Sequence, residues 1–363
     1  MKKLTEQEII DILYGCTILG TGGGGDLSLG IRLVRECLDA GKELMLASPD
    51  ELPDEEYVAV PYMCGSPASL EGGGASSWPR LSYPETLLAF RTIEQYYGKE
   101  FCAVISTELG GANTAMALHT AFMTGLPLVD GDPAGRSVPE LTQTTFYVKG
   151  ISMLPMALAT QYGDTMIIEN VVDDDRAEAI CRAVAVASGN KVGIADHPVR
   201  ACELRDSIIP GAISYAMNLG RSLREAQAEG ADVAERLSAA GGGSVVFRGV
   251  VTAAPWEERD GFIFGETCLD GIDEYAGQQY RIMWKNEFIM SYKNGRSDIM
   301  VPDLICVVDS DGMPVTNPNY EIGMGLTVFA LPAPDIWKTP RGLELFGPRH
   351  FGLDVDYVPF VQR

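Results

Sequence analysis

Histidine is scarce in this chain, with three among 363 residues: His119, His197 and His350. The eight cysteines, at positions 16, 37, 64, 102, 181, 202, 268 and 306, contain no C-x-x-C pair. A zinc site made wholly of His and Cys would have to be assembled from distant segments. Cysteines scattered through apolar runs are the pattern of reduced, mostly buried thiols. Positive charge is short as well: 28 Lys and Arg face 50 Asp and Glu, for a net charge of −22. Such a surface repels phosphate backbones and argues against nucleic acid as a partner. No uninterrupted apolar run approaches the ~20 residues of a membrane span. The start, M-K-K-L-T-E-Q-E, turns acidic before a signal-peptide core can form. A cytoplasmic protein without membrane contact is expected. No internal repeat is visible.

What is present is a chain long enough for two domains, each with its own core. Its hydrophobic content of 46% is ordinary for a globular protein. Residues 1–168 read as an α/β domain with a largely parallel sheet. Residues 169–363 read as a second domain, helical over 172–240, β-rich over 241–333 in the manner of a sandwich or barrel, with a tail at 334–363. The β-rich part is marked by short extended runs and K-N-G and S-D-G turns.

The stretch from Glu108 to Glu140 organises the first domain. Residues 101–106 (F-C-A-V-I-S) read as a strand buried on both faces. Residues 113–124 carry apolar side chains at helical spacing with Gly125 as a C-cap, and 126–129 read as a second strand. Strand, helix, strand predicts two parallel strands with a right-handed crossover. Glu108 and Asp130 then emerge at the carboxyl ends of the strands, where open α/β sheets place ligands. Asp132 and Glu140 follow on the same edge, with Arg136 as the one base among them. Gly110, Gly111, Gly131 and Gly135 permit close backbone approach. A strand over 57–63 ends in M-C-G-S-P, which puts Cys64 on this edge as a metal ligand, a nucleophile or an inert half-buried thiol.

Two loops attach to this frame. G-T-G-G-G-G-D (20–26) formally satisfies G-x-G-x-x-G, but a helix precedes it instead of a strand, and no Lys-Ser or Lys-Thr pair follows, so no nucleotide is expected. Gly22, Gly23, Gly24 and Gly25 form either a backbone nest for a small polar ligand or a structural turn. Residues 68–82 have the composition of a lid or a disordered loop, followed by a helix capped by Ser82 with Glu85. Residues 142–148 read as extended. His119 reads as a core histidine; His197, before Pro198, and His350, in the tail, read as surface or packing residues.

The motifs E-L-G-G-A-N (108–113), L-V-D-G-D-P-A-G-R-S-V-P-E-L (128–141), Y-A-G (275–277), V-P-D-L-I-C-V-V-D (301–309), A-L-P-A-P-D-I-W-K-T-P (330–340), G-P-R (347–349) and D-V-D-Y-V-P (354–359) occur in this order. Together they resemble the S-methyl thiohydantoin desulfurase family over essentially the whole chain. The resemblance implies an N-terminal α/β domain, a C-terminal domain with a β-rich module, and association with hydantoinase- and oxoprolinase-type proteins. It also implies hydrolysis at a thiohydantoin ring carbon with loss of sulfur. The matching positions are Gly22 to Gly25, Glu108, Gly110, Gly111, Asn113, Asp130, Asp132, Gly135, Arg136, Pro139 and Glu140. Residues 64–82 depart from the methionine-glycine-alanine-proline type of turn in the family, which points to a different substrate.

Three readings follow. The first is a hydrolase of a small cyclic amide or thioamide-like ring, needing an activated water, a base and stabilisation of an anion. Asp130 or Glu140 serves as base or metal ligand, with Glu108 and Asp132 beside them. Arg136 holds a carboxylate or the developing anion, and Gly110, Gly111 and Asn113 supply neutral donors. A divalent metal (Zn, Mn or Co) on Asp130, Asp132 and Cys64 would balance the excess acid. The second reading is a non-catalytic accessory subunit that binds the ring compound for a hydantoinase-type partner. The third is an oligomer-forming scaffold; a homo-oligomer is expected in any case.

Overall fold

The structure, a computed structural model, describes residues 1–65, 78–259 and 261–362. Most of the loop expected over 68–82 lies outside the described residues. The chain forms two compact units, and neither is continuous in sequence. The first is Met1–Glu6, Asp26–Ala134 and Glu140–Ile213; the second is Gln7–Gly25, Gly135–Pro139 and Ser214–Arg363.

The first unit is built on a mixed sheet of eight strands. Met45–Ala47, Leu128–Val129, Ala103–Val104 and Tyr57–Gly65 are parallel neighbours in that order. Lys191–Arg200, Met156–Ala159 and Thr165–Ile168 continue it in antiparallel fashion, and Lys2–Lys3 closes the other edge. The expected strand-helix-strand element is present, with the helix Asn113–Thr124 between two parallel strands. Gly125 ends that helix in the left-handed region at φ 74°, donating to Ala121 O. The helix is apolar around much of its circumference, and its threonines tolerate burial by bonding within the helix: Thr120 Oγ1 donates to Met116 O at 2.9 Å. On one face of the sheet, Tyr62 and Cys64 pack with Phe146, Met156, Ala177 and Cys181 in one apolar cluster.

Two local expectations fail. Residues 142–148 are not extended: Thr145–Val148 is a short helix, because Thr144 Oγ1 caps it by accepting from Tyr147 N at 3.1 Å. A β-branched, aromatic run reads as a strand until a cap overrides it. The helix Glu85–Tyr97 starts behind Pro84, without a side-chain cap from Ser82.

The second unit carries an antiparallel sheet in the order Arg296–Met300, Glu287–Lys293, Gln279–Lys285, Phe262–Gly271, Ser244–Ala253, Gly325–Leu331, Leu304–Asp309, with Trp256–Arg259 paired to Phe262–Gly271. Its first and last strands are consecutive in sequence. The link of residues 301–303 therefore joins the two edges and forces the sheet to curl into a half-barrel. To the same unit belong the helix Val233–Gly241, which packs on Gly325–Leu331 and Ser244–Ala253, most of Ala212–Glu229, and nearly all of the N-terminal helix Glu6–Leu19. The last two touch backbone to backbone. A Cβ on Gly15 would stand 1.8 Å from Ala216 O, and one on Gly220 would stand 1.8 Å from Asp11 O. One turn further, Arg224 Nε and Nη2 each meet an Asp11 carboxylate oxygen at 2.9 Å.

Candidate active site

The parallel strands Tyr57–Gly65 and Ala103–Val104 deliver Cys64 and Glu108 to the same edge of the first unit's sheet. Glu108 is buried, and its Oε1 accepts from Asn113 Nδ2 at 2.6 Å. The turn between them is held from within. Ser106 Oγ and Thr114 Oγ1 donate to Glu108 O at 2.8 and 3.1 Å, and Gly110 N donates to Thr114 Oγ1 at 3.1 Å. Glycine at position 30 lets Gly111 O come close, since a Cβ there would stand 2.0 Å from it.

The helix Asp174–Ala187 supplies two groups that sequence reading missed, Glu178 and Arg182. Arg182 Nε and Nη2 reach Glu178 Oε1 at 2.8 and 2.5 Å, and Glu178 Oε2 accepts from Leu141 N at 2.9 Å. That last bond ties Glu140 to the helix, and Gln143 Nε2 reaches Glu140 Oε2 at 3.3 Å. Burial raises the Glu178 pKa, opposed by Arg182 and the Leu141 amide and reinforced by Glu140. Burial works against the charge on Arg182, but Glu178, Cys64 and Glu140 outweigh it and hold the guanidinium charged. Burial pushes the Cys64 thiol up to about 11, with Arg182 opposing and Glu178 and Glu108 adding to the shift. Cys64 is therefore a neutral thiol at physiological pH, facing one half-buried cation and the carboxylates Glu108 and Glu178.

This has a simple chemical check. In the native protein at pH 8, iodoacetamide should modify the half-buried Cys102, Cys202 and Cys268, while Cys64 and Cys181 react only after denaturation. Peptide mass spectrometry reads the pattern. Early labelling of Cys64 would mean an accessible thiolate and a different site.

Of the other sequence-selected residues, Asp130 follows a parallel strand to the same edge, and Arg136 and the glycine loop do not. Asp130 is half-buried at its strand end, its N–H on Ala47 O at 2.7 Å and its carbonyl accepting from Gly211 N at 2.9 Å. Asp132 is fully buried in a short ladder opposite Ile209, and its Oδ1 accepts from Ala134 N at 2.7 Å. Arg136 and the glycine loop belong to the second unit. There Arg136 is fully buried, with Nε on Ser137 O at 3.0 Å and Nη1 on Pro302 O and Asp303 O at 3.2 Å each. Its Nη2 reaches Thr21 Oγ1 at 2.7 Å and Phe288 O at 3.2 Å, and the guanidinium lies over the Phe346 ring at 4.8 Å. Gly22, Gly24 and Gly25 have φ of 89°, 76° and 81°, Gly22 O accepts from Asn317 N at 2.8 Å, and a Cβ on Gly23 would stand 1.8 Å from Glu287 Oε1.

A metal was expected on Asp130, Asp132 and Cys64. Among the described residues no three His, Cys, Asp or Glu side chains gather in a way that could hold an ion. Asp132 Oδ1 accepts from a loop amide. No helix among the described residues has the length and apolarity to cross a membrane. A cavity of about 560 Å3 in the second unit, lined in part by Asp232, Arg248, Asp273, Asp309 and Thr327, contains none of the candidate residues. Its cation is already engaged, Arg248 lying 2.8 Å from Asp232 and 3.2 Å from Glu235.

Comparison with known proteins matches residues 7–170 to the model described as S-Me-THD-like, N-terminal domain, and residues 172–360 to S-Me-THD-like, C-terminal domain. No curated protein matches. Among solved structures, the chain is similar to the crystal structure of a protein from Chromobacterium violaceum determined in a structural genomics programme. The TM-score is 0.80 at 20% identity, covering 99% of this chain and 100% of that one. At that identity the likeness speaks for the fold alone.

Proposed function

We propose, on the premise that the chain belongs to the S-Me-THD-like family, that it hydrolyses a small five-membered ring of the thiohydantoin type. The observation that carries the reading is the presence, beside one strand-end edge, of a carboxylate held by Asn113 and a half-buried guanidinium, Arg182, held by Glu178. Hydrolysis at a sulfur-bearing ring carbon needs a base for water and a fixed positive charge for the anion that forms. Glu108 takes a proton as water adds to the ring carbon and the C–O bond forms. Arg182 stabilises the tetrahedral anion. The C–S bond then breaks, the proton passes from Glu108 to the departing sulfur, and an S-alkyl group leaves as the thiol. The second water proton ends on the ring nitrogen, giving the hydantoin. Glu140, fixed through the Leu141 amide on Glu178, lines the same edge. The hydantoin product is what a ring-opening hydantoinase-type partner consumes.

The test is turnover of an S-methylated thiohydantoin by the purified protein, with released thiol measured colorimetrically and the ring product by mass spectrometry. Glu108→Gln should lower kcat by roughly 100-fold or more, the scale of a general base, with the melting temperature within about 2 °C of the parent. Equal rates for parent and variant would remove Glu108 from the chemistry. No step above uses a metal, so turnover should survive a chelator. Loss on chelation and recovery with Zn, Mn or Co would replace this route with the metal-assisted one.

A further inference from the structure

His197 is a buried ionisable group that the route above leaves unused. It is 2% exposed, so of the surface and packing roles that its sequence context suggests, the surface one fails. Its Nδ1 lies 2.8 Å from Asp196 Oδ1, and Asp196 Oδ2 accepts the Tyr62 hydroxyl at 2.6 Å. A carboxylate facing Nδ1 favours the Nδ1–H tautomer, in which the lone pair is on Nε2. Phe146 stacks on the imidazole at 4.4 Å, which fixes the ring plane. The backbone is held too, with His197 N on Met153 O at 3.2 Å and φ at +43°. A non-glycine residue is disfavoured in that region, and a following proline favours extended backbone instead. The strand bulges here: its register against Tyr57–Gly65 slips between Val58 and Val60. Plane and direction are thus fixed, and the tautomer favoured, against a conformational penalty.

The atom that all this aims is Nε2, which is buried and has no hydrogen-bond partner among the described residues. Strain and an unsatisfied polar atom on one residue mark a functional position better than a packing one. His197 lies on the strand that pairs with Tyr57–Gly65, the strand that ends at Cys64. Asp196 lies within electrostatic reach of Cys181, and Cys181 within reach of Cys64, Glu178 and Arg182.

We propose that His197 Nε2 accepts the hydrogen bond of a ring N–H of the substrate, a cyclic ureide or thioureide, and so orients the ring. Asp196 and Tyr62 act as positioning residues behind it. The inference rests on the ring-hydrolase reading, and one experiment separates the two. Three histidines make the imidazole nitrogens assignable in the full-length 15N-labelled protein with His119→Gln and His350→Gln as references. Hydantoin is the probe, and the S-methylated ring is the substrate. The Nδ1–H tautomer is expected for His197, with its Nε2 resonance moving as hydantoin saturates the protein while His119 stays still. His197→Asn, a residue that tolerates positive φ, should raise KM about tenfold, the weight of one hydrogen bond, and leave kcat within about threefold. Tyr62→Phe should shift KM in the same direction by less. Turnover with an unmoved Nε2 and an unchanged KM overturns the inference and leaves the hydrolase reading standing. A moving Nε2 without turnover does the reverse, and neither signal sinks both. Because the resonance is read on the parent protein, a variant that fails to fold does not rescue the idea.

Discussion

Arg136→Met is expected to cost the second unit about 3–5 kcal/mol, the scale for breaking a buried charged network. That is a large part of a net stability that is typically 5–15 kcal/mol. Methionine replaces the aliphatic stem but none of the donors. It would leave Ser137 O, Pro302 O, Asp303 O, Phe288 O and Thr21 Oγ1 without the N–H groups that now meet them. An orphaned buried acceptor costs about 1–3 kcal/mol, and several such losses at one point are not additive. The guanidinium joins three pieces of chain: the glycine loop through Thr21, the strand Glu287–Lys293 through Phe288, and the link over 301–303 where the curled sheet turns from one edge to the other. Arg136→Lys keeps the charge but not the planar fork, and should recover less than half of the loss. Urea titration reads this directly, because Trp284 and Trp337 are buried in the same unit and Trp78 and Trp256 are exposed. A variant with the parent's midpoint but no ring binding would return Arg136 to the ligand-holding role that its sequence context suggests.

Gly15→Val should be about as damaging, at roughly 3 kcal/mol or more, for a steric reason. The new Cβ would fall 1.8 Å from Ala216 O and 2.5 Å from its carbonyl carbon, so the neighbour is backbone and cannot rotate away. The two helices would have to separate, and the Asp11–Arg224 pair one turn away would open with them. Because Asp11 is buried, losing its partner adds to the cost instead of sparing it. A fall in melting temperature of many degrees is expected. A Gly15→Val protein that melts with the parent would mean that these helices do not approach as described.

The sheet of the first unit was legible because parallel strands buried on both faces leave short apolar runs, and because Gly125 closes the intervening helix with a conformation that only glycine adopts easily. Glu108 and Cys64 could be placed from the same signal. Arg136 and the four glycines could not. They sit beside the acidic stretch in sequence, but the chain leaves the first unit at Gly135 and returns to it at Glu140, and no local pattern marks so brief an excursion. Glu178 and Arg182 were hidden for a different reason. A Glu and an Arg four apart look like an exposed ion pair on a helix, and only contact with the sheet buries Glu178 and half-buries Arg182. For His197 the sequence carries one hint, the following proline, and it points towards extended backbone, away from the observed φ.

The broken continuity of the two units sets a clock on synthesis. The helix Glu6–Leu19 leaves the ribosome early, yet the helix it lies against begins only at Ala212. At about 5–20 residues per second, nearly two hundred residues of delay amount to roughly 10–40 s. Through that interval Ile9, Ile12, Leu13 and Cys16, all fully buried in the finished protein, have no second-unit surface to cover them. The nascent chain therefore carries an uncovered apolar helix while the first unit is assembling behind it. A holdase chaperone would find its target there, and cutting the gene between the two family segments would strand that helix on the wrong fragment.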